Sequence, residues 1–141
     1  GAPMKRLTAI GLACLLPACQ STHLLVGPPE KIENFPVMAA NLSDCAYRSP
    51  QSVRSPYLFK REVRAGHREF VVTGTAASNL PQIELRFVTE GATTIVELRE
   101  NAAGDHELSH DVWTMVERCS YQVANPSAPP FTLPKTAPLS R

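Results

Sequence analysis

Apolar residues recur with a regular period only between residues 35 and 123, and that confinement sets the size and kind of fold open to this chain. A window of about 90 residues can bury one modest core and no more. On either side the pattern stops. Residues 20–34 (QSTHLLVGPPEKIEN) carry a Pro-Pro pair, no periodicity and few core formers, and read as a tether. Residues 124–141 (ANPSAPPFTLPKTAPLSR) combine Pro, Ala, Ser and Thr and read as a disordered or polyproline-like tail.

Inside the window the periods are those of short helices and half-buried strands. Met38, Leu42 and Cys45 fall at i, i+4 and i+7, one face of a helix that should stop before Ser49-Pro50. Tyr57, Phe59 and Val63 alternate with Leu58, Lys60 and Glu62. Phe70 and Val72 resume the alternation after Ala65-Gly66, which predicts a hairpin. Ile83, Leu85 and Phe87 alternate with Glu84 and Arg86, and Glu90-Gly91 turns into a further strand from Thr93 to Arg99. Asn101 to Asp105 is a loop. A second helix then spans about Glu107 to Tyr121, with Val112, Met115 or Val116, and Cys119 inward. The order helix, four strands, helix predicts an α+β domain over residues 35–123. Its four-stranded antiparallel sheet should carry the N-terminal and the C-terminal helix on one face.

The amino terminus has a different character. Gly1-Ala2-Pro3 ahead of Met4 reads as an expression scar. Lys5-Arg6 then precede an almost wholly apolar run from Leu7 to Leu16, followed by Pro17-Ala18-Cys19. A run of about ten apolar residues is half of the roughly 20 that a membrane-spanning helix needs. Residues 4–18 resemble a bacterial lipoprotein signal peptide, and Leu16-Pro17-Ala18-Cys19 resembles a lipobox, with Pro in an unusual second position. The resemblance implies cleavage before Cys19 and a diacylglyceryl group on its sulfur. In the enterobacterial sorting rule Asp after the cysteine retains a lipoprotein in the inner membrane. Gln20 therefore implies the outer membrane, with the domain on its periplasmic face.

That resemblance bears on the other cysteines. Cys14 would leave with the signal peptide and Cys19 would take the lipid, so Cys45 and Cys119 remain. Each lies on the apolar stripe of its own helix, and two cysteines left over in an exported domain usually pair. A bridge between them would close a loop of about 75 residues, and the expected fold is disulfide-linked.

One motif suggests chemistry. His106-Glu107-Leu108-Ser109-His110 matches H-E-x-x-H, the zincin signature, in which two imidazoles one helical turn apart hold zinc and the glutamate activates a bound water. The match covers five residues and departs from the pattern around them. No third ligand follows plainly, because Glu117 lies only two turns along the same helix. Asp111 follows the second histidine, and the motif sits at a helix start, where Asp and Glu complement the dipole. Metal ligation by His106 and His110, with Glu107 as base, is therefore the alternative reading, a zinc-dependent hydrolase. The first expectation is a non-enzymatic envelope lipoprotein without a cofactor, a binding or assembly accessory. It shares its anchor and size with the small lipoproteins that inhibit lysozyme, without a matching binding motif.

Charge narrows the partner. The full chain has formal net charge +1, and loss of Lys5 and Arg6 leaves twelve basic against 13 acidic residues. A near-neutral protein has no long-range attraction for nucleic acid. An envelope protein or polymer is the expected partner. Residues 48–68 are mostly basic and residues 84–117 mostly acidic. The basic segment could meet an acidic partner, but pairing of the two segments across neighbouring strands is the simpler expectation.

Overall fold

A computed structural model of the protein describes residues 24–51 and 57–127. Residues 4–18, which were expected to form a signal peptide, Cys19 and all but the first residues of the Pro-rich tail lie outside the described residues. The elements are β1 (Lys31–Phe35), α1 (Ala39–Gln51), β2 (Leu58–Arg64), β3 (Glu69–Thr75), β4 (Pro81–Glu90), β5 (Thr93–Glu100) and α2 (His106–Ala124), with a single 3-10 turn at Ala65–His67. The strands form one antiparallel sheet in the order β1-β5-β4-β3-β2. Both helices lie on the same face of it, α1 over β2, β3 and β4, and α2 beside α1 and over β5.

The alternation along each strand decides which face is dry. Phe59, Phe70, Val72, Ile83, Leu85, Phe87, Val96 and Leu98 point toward the helices. They meet Leu42 and Ala46 of α1 and Leu108, Val112, Trp113, Met115, Val116 and Cys119 of α2. Each large side chain so buried stabilises the fold by about 1.5–3 kcal/mol before chain entropy is counted. Cys45 and Cys119 are bridged and tie the two helices together on the core side. Gly91 turns β4 into β5 with φ +62°, as a two-residue hairpin loop between paired Glu90 and Thr93 requires.

The α+β class, the antiparallel sheet, the two helices and the disulfide stand as expected. The sheet has five strands, which corrects the expectation of four. Four of the five residues of the added strand, β1, come from the stretch that read as a tether. It lies on the outer edge of β5, where Glu30 N–H donates to Leu98 O at 2.7 Å. Phe35 holds it, buried against Trp113 with ring centroids 5.9 Å apart, and the Lys31 ammonium lies 5.8 Å from the Trp113 ring centroid. Helix α1 also differs at both ends. Met38 precedes it and is exposed, and the helix runs through Pro50 to Gln51. Pro50 has no N–H to donate, but it stands in the final turn, where that loss breaks nothing further along.

Candidate functional site

Away from the helices, the second face of the sheet carries charge. The guanidinium of Arg86 on β4 grips Glu69 of β3 with two hydrogen bonds, Nε to Oε1 and Nη2 to Oε2, both 3.0 Å. Its Nη1 lies 3.8 Å from Glu97 Oε1 on β5, and Arg99 Nη1 donates to that same oxygen at 2.7 Å. On the other side Arg64 Nη2 donates to Glu62 at 3.1 Å, with its Nη1 3.8 Å from Glu69. Basic and acidic side chains thus alternate across β2, β3, β4 and β5. These pairs, however, join Arg64 to Glu62 and Glu69, Arg86 to Glu69 and Glu97, and Arg99 to Glu97, while the basic β2 borders β3 rather than the acidic β4 and β5. The bidentate bond to Glu69, reinforced by the neighbouring carboxylates, raises the Arg86 pKa above its ordinary value despite partial burial. Pairing on this scale leaves little net charge on the face.

A strap crosses part of this face. Residues 24–29 precede β1, and three backbone groups fix the passage. Leu24 N–H donates to Glu84 Oε2 at 2.9 Å, Arg99 Nε donates to Gly27 O at 3.0 Å, and Glu30 N–H donates to Leu98 O at 2.7 Å. Glu84 is thereby only 1% exposed although it stands on the face turned away from the helices. Between the strap and the β5–α2 connection lies a groove of about 330 Å³, lined by Val26, Pro28, Arg99, Glu100 and Asn101 among others. Its polar walls are engaged: Arg99 holds Gly27 and Glu97, and Glu100 Oε1 lies 2.5 Å from His106 Nδ1. Nothing in the sequence marks this strap except the Pro28-Pro29 pair on which it ends, ahead of the first core residue.

The H-E-x-x-H residues form the first turn of α2. Asp105 caps that helix, its Oδ1 accepting from Glu107 N–H at 2.9 Å and Leu108 N–H at 3.1 Å. Its Oδ2 accepts from the Tyr57 hydroxyl at 3.0 Å. His106 is turned to Glu100, and its side chain is 77% exposed. His110 and Glu107 are exposed on the same helix. The structure places the two histidines one turn apart as expected, but it sets His106 against a carboxylate of β5. Among the described residues no three His, Cys, Asp or Glu side chains are grouped so as to hold a metal ion. No described helix is long and apolar enough to cross a membrane. Cys19 lies outside the described residues. No protein-family model matches this chain, and no curated protein matches it either.

Proposed function

We propose that this protein is an envelope lipoprotein, anchored through lipid on Cys19 to the periplasmic side of the outer membrane, whose domain binds another envelope protein or polymer without catalysing a reaction. The observation that carries the reading is the Cys45–Cys119 bridge. Persistent disulfides belong to oxidising compartments, so the bridge agrees with a leader that exports the chain. A domain of about 90 residues gains most from such a staple when it must survive outside the cytoplasm. The anchor itself rests on Leu16-Pro17-Ala18-Cys19 after a short apolar run. Two or more acyl chains at that sulfur would hold the domain firmly, at about 0.8 kcal/mol for each buried methylene.

Cys19→Ser tests the anchor. The variant should leave the membrane fraction and appear in the soluble periplasm with its circular dichroism unchanged. A variant that still sediments with the outer membrane would mean that some other surface holds it. Capture of an envelope component from outer-membrane extract by the oxidised soluble domain tests the binding role. Zinc co-purifying at one equivalent, with hydrolysis lost in Glu107→Gln, would replace this reading by the hydrolase.

A further inference from the structure

The strap limits where the anchor can be. Leu24 is hydrogen-bonded to Glu84, on the face of the sheet away from the helices, and Cys19 stands five positions earlier. A fully extended chain of that length reaches at most roughly 17 Å. A lipid on Cys19 therefore brings this face within that distance of the membrane, whatever path residues 20–23 take. The stretch that read as a tether is short in effect, because Leu24, Gly27 and Glu30 are bonded to the domain.

The side chains around that exit are unusual for a solvated sheet. By register, Leu58 and Lys60 of β2 share the outer face with Thr73 of β3 and Glu84 of β4. Leu58 is 67% exposed, Leu24 54% and Val26 91%. Leu80, in the turn that closes the same end of the sheet, is 57% exposed. Exposed apolar residues gathered in this way usually mark an interaction surface. The carboxylates nearby are compensated: Glu69 and Glu97 pair with Arg86 and Arg99, and Glu84 accepts from the strap. A face with balanced charge, apolar side chains at its rim and one exposed lysine suits the headgroup layer of a bilayer.

We propose that this strapped end of the sheet rests on the lipid headgroups, with Leu24, Val26, Leu58 and Leu80 as its contacts and the strap as the device that fixes the orientation. The two helices then face the periplasm and are the side offered to a partner. The proposal rests on lipidation of Cys19. The test uses the lipidated full chain in phosphatidylethanolamine and phosphatidylglycerol vesicles with brominated acyl chains. A tryptophan is added singly as Val26→Trp, Leu58→Trp or Tyr121→Trp. Native Trp113 is 5% exposed and serves as a constant background. Tyr121 lies on α2 and is 64% exposed, so it reports the opposite side.

Emission added at positions 26 and 58 should be quenched, and that added at 121 should not. Equal emission at all three positions, in a chain shown by mass to carry lipid, overturns the docked face alone. An unmodified Cys19 overturns the anchor and the docked face together. A soluble Cys19→Ser protein that is dimeric by light scattering, with position 58 shielded from aqueous iodide, would assign the face to a second copy and so contradict docking on lipid.

Discussion

Gly74 of β3 stands on the core face of the sheet between its cross-strand partners, Phe59 of β2 and Ile83 of β4. A Cβ built there would lie 2.7 Å from Ile83 Cγ2 and 2.8 Å from Phe59 Cε1, inside any tolerable contact. Both neighbours are buried and cannot swing away. Gly74→Ala should therefore destabilise the domain by about 1–3 kcal/mol, the range for overpacking. A urea midpoint that falls with an unchanged slope checks this, and an unchanged midpoint would refute the close approach. On the other face Arg86→Ala leaves Glu69, 14% exposed, without its bidentate partner. The expected loss is about 1–2 kcal/mol, reduced by the partial exposure of the pair. Because the Arg86 pKa is raised in the folded state, its contribution is fully present below the unfolded value and is lost only as pH rises beyond it. The difference between wild type and Arg86→Ala should accordingly stay constant between neutral and moderately alkaline pH. At this scale the alternation of Ile83, Leu85 and Phe87 told correctly which face of β4 is dry. It could not tell that Glu84 is buried as well, because what covers Glu84 is a strap with no period of its own.

Among the elements, β1 was the hardest to read. Four of its five residues are exposed, and its two apolar residues stand three apart and so face opposite sides, Ile32 60% exposed on the outer face and Phe35 buried. The strand exists because β5 offers an open edge and because Phe35 docks on Trp113, both consequences of tertiary packing. Phe35→Ala should lose about 3–5 kcal/mol, the usual penalty for emptying a buried aromatic site. Ile32→Ala should stay within about 0.5 kcal/mol, as exposed positions do. Thermal melts of the two variants check the register of β1, and equal losses would place Ile32 in the core instead. The helices were plainer, because a sustained stripe such as Val112, Met115, Val116 and Cys119 leaves little choice of face. Their disulfide spans a sequence separation of 74. Opening it through Cys45→Ser with Cys119→Ser should lower stability by about 2–5 kcal/mol, read as the fall in urea midpoint. An unchanged midpoint would show the bridge to be energetically idle.

For the molecule as a whole, the sheet divides the surface into a helical side and a strapped side, and the proposed lipid on Cys19 would decide which of them meets the membrane. The residues of H-E-x-x-H sit at the start of α2, with His106 committed to Glu100 and Asp105 to the helix cap. That arrangement explains the acidic first turn without recourse to zinc. The spacing of five residues was legible in the sequence, but the distance to any third ligand was a property of the fold. Everything proposed for the whole molecule depends on the chemistry at one sulfur. The direct measurement is mass spectrometry of the amino-terminal peptide released from protein extracted from membranes of the native host. The peptide should begin at Cys19 and carry a diacylglyceryl group. A peptide beginning elsewhere, or an unmodified Cys19 in membrane-derived protein, would contradict it.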